Sequence, residues 1–141
     1  MSEHESEFLK NHSLHFLEMA SRVDKRGIVR HPDGYGKKEG ICGDTVEIFL
    51  TVSGRRIQSV SFDIDGCIHT HACCNTLAHL AEGKAIVDAW KITPDDVVNY
   101  LETLPSDHFH CAELTMGAFY LALANYNALE KSPWKKWYQN R

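Results

Sequence analysis

"VEIFLTVSGRRIQSVSFDIDGC", residues 46–67, changes its periodicity once, and that change decides the fold. From Thr45 to Val52 the residues alternate, with Val46, Ile48, Leu50 and Val52 on one face and Thr45, Glu47, Phe49 and Thr51 on the other. Ser53-Gly54 makes a turn, and Val60, Phe62 and Ile64 alternate along a second strand from Ile57 to Ile64. This pattern predicts a β-hairpin with one face on a core. After Gly66 the apolar period lengthens from two to about 3.6, so a helix follows over about 68–82 and stops at Gly83.

Working outward, helical signals dominate both flanks. Residues 6–25 read as an amphipathic helix, with Leu9, Phe16, Ala20 and Val23 at roughly helical spacing and Gly27 closing it. His31-Pro32-Asp33-Gly34-Tyr35-Gly36 reads as a loop rich in turn residues. Downstream, a short helix covers Ile86–Trp90. Thr93-Pro94-Asp95-Asp96 opens another, with a capping hydroxyl, a first-turn proline and acids at the positive end, and it closes at Leu104-Pro105. A long helix spans about 111–130 and leaves the tail PWKKWYQNR. The expected fold is therefore α+β, a small antiparallel sheet packed against several helices. Residues 1–141 read as one domain, with a helical segment at 1–30, a central body at 31–130 and a tail at 131–141.

The composition narrows the function classes. The chain is 43% hydrophobic and 24% charged, ordinary for a globular domain able to bury a core. A net charge of −4 offers no basic stripe for phosphates, which argues against a nucleic-acid partner. The acidic start MSEHESEF is no secretory signal and no apolar run reaches membrane-spanning length, so a cytoplasmic setting is the expectation. Five cysteines, an odd number, argue against an extracellular disulfide framework and for metal binding or thiol chemistry.

Three of those cysteines fall in "GCIHTHACC", residues 66–74, a run suited to metal binding, to a reactive thiol, or to a helix end with buried thiols behind it. On a helical wheel Cys73 shares a face with Leu77 and Leu80 and reads as core. Cys67, His71 and Cys74 stack on a neighbouring face, and His69 points away as a solvated imidazole. The other two cysteines also sit at element junctions: Cys42-Gly43-Asp44 before the first strand of the hairpin, and His110-Cys111 where the last helix begins. Exposed amides and the helix dipole stabilise thiolate at such positions, and thiolate is both ligand and nucleophile. The central glycine of C-x-D lets sulfur and carboxylate face one centre. Cysteines with one histidine and one carboxylate fit zinc and iron–sulfur ligation alike. The hard oxygen of Asp44 points to a site that releases its metal. A structural zinc module leaves Asp44 unexplained, in a domain large enough to fold without metal. A Cys–His hydrolase lacks an oxyanion-hole motif.

"CGD" at 42–44, "GC" at 66–67 and "HC" at 110–111, spaced by 25 and 44 residues between cysteines, resemble the three ordered ligand motifs of the U-type iron–sulfur cluster scaffold family, the IscU and NifU amino-terminal domain. "HPDGYG" at 31–36 and "EGK" at 82–84 resemble its glycine loops, and the match covers roughly residues 31–130. The resemblance implies a scaffold or carrier rather than an enzyme. Such a protein binds iron, accepts persulfide sulfur from a cysteine desulfurase, draws on an electron donor such as a ferredoxin, assembles a transient 2Fe–2S cluster and passes it to acceptor proteins. Carried over, Cys42, Cys67 and Cys111 would be cluster ligands, with His110 an alternative ligand and Asp44 the group that loosens the site. Cys111 would take the persulfide, and zinc could occupy the site in the isolated protein. The sequence departs from the family where L-P-P-V-K is replaced by Leu104-Pro105-Ser106-Asp107-His108, which puts handover through a dedicated chaperone in question. It departs again in "IHTHACC", where small residues are usual. The alternative is a zinc-dependent sulfur-transfer protein of SufU type, whose usual insertion between the second and third motifs is missing here.

Overall fold

In the computed structural model, which describes residues 12–41 and 43–137, the elements run α1 (Leu14–Ser21), β1 (Gly34–Glu39), β2 (Thr45–Ser53), β3 (Arg56–Asp65), α2 (Ile68–Ala81), α3 (Ile86–Ala89), α4 (Pro94–Leu101) and α5 (Phe109–Lys131). A 3-10 turn at Ser106–His108 precedes α5 and another at Pro133–Trp137 follows it. The strands form one antiparallel sheet in the order β1-β2-β3, so the fold is α+β as expected. No helix among the described residues is long and apolar enough to cross a membrane.

The hairpin forms where alternation put it. Val46, Ile48 and Leu50 are fully buried with Val60 and Phe62 in one core beneath the helices. The opposite face of β2 is covered as well. Phe49 is buried against the Tyr35 ring, and Glu47 accepts a 2.7 Å hydrogen bond from the Tyr35 hydroxyl. The outer edge of β3 is closed by backbone bonds from Gly27 to Phe62 and from Ile57 to Lys84, which leaves less free edge for a foreign strand.

Two expectations are corrected. Residues 34–36, read as loop, belong to β1, whose Gly36 pairs with Ile48. The glycines serve helix packing rather than a turn: a Cβ on Gly36 would lie 2.1 Å from the Ala118 carbonyl oxygen and 2.5 Å from the Ala122 amide nitrogen of α5. Only a strand without side chains there lets the helix backbone come so near. The first helix is shorter than 6–25. Ser13 caps α1 by accepting from the Phe16 amide, the helix ends at Arg22, and Val23 is exposed rather than part of the apolar stripe. The portion of that expectation before His12 lies outside the described residues. α4 carries the anticipated capping box between Thr93 and Asp96 and ends at Leu101.

Candidate metal centre

Two helix starts meet at one end of the sheet. Cys67 is the N-cap of α2, with extended backbone (φ −88, ψ 175) and an exposed thiol. Cys111 lies in the first turn of α5, buried behind it. Their sulfurs and a ring nitrogen of His108 all lie within 4.8 Å of one another. The Thr70 hydroxyl ties the third junction to them. It donates to Asp44 Oδ2 at 2.9 Å and lies 3.7 Å from Cys67 Sγ. Asp44 closes on the backbone from the other side, so that a Cβ on Gly66 would stand 2.7 Å from Asp44 Oδ2. Gly43, in C-x-D, adopts φ +87, a conformation that L side chains rarely take. Cys42 lies outside the described residues.

Imidazoles surround the sulfurs. His108 Nδ1 is 3.9 Å and His110 Nε2 3.7 Å from Cys111 Sγ, and His69 Nδ1 is 3.7 Å from Cys67 Sγ. The His69 ring stacks on His108 with centroids 3.7 Å apart and planes at 14°. His69 is thus half-buried in the site rather than solvated. Burial, then the electrostatic influence of the neighbouring His108, holds its pKa below the ordinary histidine value. Burial pushes the Cys111 thiol up to about 11; Cys67 and Asp44 add to the rise and the Thr70 hydroxyl opposes it.

Tetrahedral zinc at its usual bond lengths of about 2.0–2.3 Å would hold such ligand atoms roughly 3.5–3.8 Å apart. The observed group, with its ligand atoms all within 4.8 Å of one another, is near that spacing. Two thiols and an imidazole, with a carboxylate beside them, suit zinc, ferrous iron or an iron–sulfur centre.

His108 is the residue that the sequence reading passed over, although the spacing H-x-x-C at 108–111 could have found it. His108 stands three residues before Cys111 as the N-cap of α5, and there its Nδ1 comes within 3.9 Å of the Cys111 sulfur. The other two thiols among the described residues, Cys73 and Cys74, are not members of that group. Cys73 is fully buried with its thiol pKa raised well above normal. Cys74, also fully buried, is 3.6 Å from the Thr115 hydroxyl, and burial raises its thiol to about 12. His71 faces the α1 end instead, with Nδ1 3.0 Å from the Ala20 carbonyl and its ring edge-on to Phe62.

Residues 17–133 match the model of the NifU-like N terminal domain family. Iron–sulfur cluster assembly scaffold protein IscU 1 of Archaeoglobus fulgidus is 34% identical over 101 residues, covering 71% of this chain and 66% of that protein. The bifunctional protein NifU/MnmA of Rubrobacter xylanophilus is 36% identical over 103 residues, covering 71% of this chain and 21% of its own length. The chain thus spans just under two thirds of the first of these relatives and about a fifth of the second. Among solved structures, a SUF-system protein from Fervidobacterium islandicum superposes with a TM-score of 0.67 over 79% of this chain and 95% of that one. The N-terminal part of a NifU-like protein from Brucella abortus gives 0.64 over 84% and 94%. At 17% identity, both show a shared fold alone.

Proposed function

The chain belongs to the NifU-like N-terminal domain family, and on that premise we propose that it is an iron–sulfur cluster assembly scaffold. The observation that carries this is the meeting of Cys67, Cys111 and His108 within 4.8 Å at a partly exposed end of the fold. In the proposed cycle Cys42, Cys67 and Cys111 hold the cargo, with His110 as alternative ligand and Asp44 as the hard ligand that keeps the cargo releasable. Cys111 thiolate attacks the terminal sulfur of a cysteine desulfurase persulfide, expels the desulfurase thiolate and becomes the persulfide itself. Reducing two such sulfurs to sulfide takes four electrons. Two ferrous ions supply two of them on becoming ferric, and a donor such as a ferredoxin supplies the other two. The finished 2Fe–2S cluster then passes to an acceptor protein. The setting we assign is the cytoplasm, where thiols stay reduced.

The test is anaerobic reconstitution with a cysteine desulfurase, cysteine, a reductant and ferrous iron. It is followed by visible absorption and by iron and sulfide analysis. The expected result is equimolar iron and sulfide in the wild type, and loss of at least about tenfold of the chromophore in Cys67→Ser and Cys111→Ser. The two-sulfur, one-nitrogen group also suits zinc, which keeps the SufU-type alternative of zinc-dependent sulfur transfer as a distinct outcome. Tight zinc binding with persulfide uptake but no iron would favour that alternative over the scaffold.

A further inference from the structure

We propose that His108 is a direct metal ligand of this chain, forming with Cys67 and Cys111 a two-sulfur, one-nitrogen position for a single zinc or ferrous ion. The inference rests on the reading above that these thiols take metal, and it deepens that reading by choosing the imidazole. His110 stands in the motif that resembles the family's, but the geometry points one residue pair earlier. His108 closes the 3-10 turn, its amide bonded to the Pro105 carbonyl at 2.9 Å, and serves as N-cap of α5. From there it sits three residues before Cys111 and faces the same way, and a ring nitrogen joins the 4.8 Å group. His110 brings Nε2 to 3.7 Å from Cys111 Sγ and its ring to 5.8 Å from that of His108, but it is not a member of that group.

Two further observations support a ligand role. The ring is held in place, since His69 stacks on it at 3.7 Å while itself reaching Cys67 Sγ from the α2 side. Both helix starts therefore contribute to fixing the imidazole, as preorganised ligands require. The chemistry of the position also matters. Where the family motif carries a lysine, whose protonated amine has no lone pair to give near neutral pH, this chain carries an imidazole, the commonest nitrogen ligand for metals. The replacement turns a cation that would repel an incoming metal into a group that binds it.

Cobalt titration of the reduced, metal-free 141-residue protein under anaerobic conditions tests the assignment. Circular dichroism of each variant confirms that it has folded. The wild type should show thiolate-to-cobalt charge transfer and the intense visible bands of tetrahedral cobalt. His108→Ala should weaken cobalt binding at least about tenfold and reduce the visible bands, more than His110→Ala does. His108→Cys, which places a thiolate at the same three-residue spacing, should restore affinity and increase the charge-transfer band. On the unmodified protein, zinc addition should shift the ring nitrogen resonance of His108 in a nitrogen-15 NMR spectrum, whether or not the alanine variant folds. Cobalt binding and spectra unchanged in His108→Ala, or a zinc shift at His110 with none at His108, would sink the inference and leave the scaffold reading standing. A wild type without any thiolate-to-cobalt band would end both.

Discussion

Cys73 and Cys74 are consecutive, both fully buried, and neither lies in the metal centre, while Cys67 six residues earlier is exposed within it. Alkylation of the metal-free native protein with iodoacetamide at pH 8, read by peptide mass spectrometry, should label Cys67 readily. Cys73 and Cys74 should react at least roughly a hundredfold more slowly than in denaturant, because reaching them requires opening the fold. Fast labelling of either in the native state would contradict their placement. The core role of Cys73 was legible from its spacing to Leu77 and Leu80. The positions of His71 and Cys74 were not, and the reason is local. Counting helical steps from Cys67 presumes that it is helical, yet it is an extended N-cap, so the angle to His71 and Cys74 is undefined. In addition, α2 is buried on several faces, with Thr70, Asn75 and Thr76 inside beside the apolar residues, so amphipathic pattern says little about direction.

At the scale of elements, the hairpin was plain because one face alternates cleanly, whereas β1 was hidden by its glycines. Gly and Pro in a short stretch signal a turn, and only the third dimension reveals that α5 lies against Gly34 and Gly36. Gly36→Ala should therefore destabilise the protein by about 2–4 kcal/mol, since the new methyl meets backbone atoms of α5 that cannot swing away. Gly27→Ala, with nothing within 4 Å of its added Cβ, should change stability by less than about 0.5 kcal/mol. Urea titrations of the two variants decide the matter, and equal midpoints would refute the close packing of β1 on α5. A boundary error of two residues had a larger consequence for the site. Placing the helix start at 111 drew attention to His110, but α5 begins at Phe109 after a 3-10 turn, and this makes His108 its N-cap, within 3.9 Å of the Cys111 sulfur.

For the whole molecule, the α+β class followed from hairpin first and helices after. The junctional cysteines were legible as candidate ligands by type, but their mutual distances were not, because nothing in a linear spacing of 44 residues sets how two helix starts approach. The buried thiols give the fold a signed response to alkali. An unfolded cysteine ionises near pH 8.5, while burial holds Cys74 up to about 12 and raises Cys73 in the same direction. Above roughly pH 8.5 the unfolded chain therefore binds fewer protons than the native one, and stability falls as pH rises, by up to about 1.4 kcal/mol per unit for each thiol. Melting temperatures between pH 8 and 11 should decline less steeply in Cys73→Ala/Cys74→Ala than in the wild type; parallel curves would show that these thiols do not carry the effect. The two helix starts have a further consequence. In the proposed cycle, cargo held jointly by Cys67 and Cys111 would close a loop of roughly 45 residues, and a cross-link of that span removes on the order of 4 kcal/mol of chain entropy from the unfolded state. A loaded chain is thus a stapled chain. On the proposed function each handover would cut the staple, which would make the emptied protein the more fragile of the two forms and the one that a protease would meet open more often.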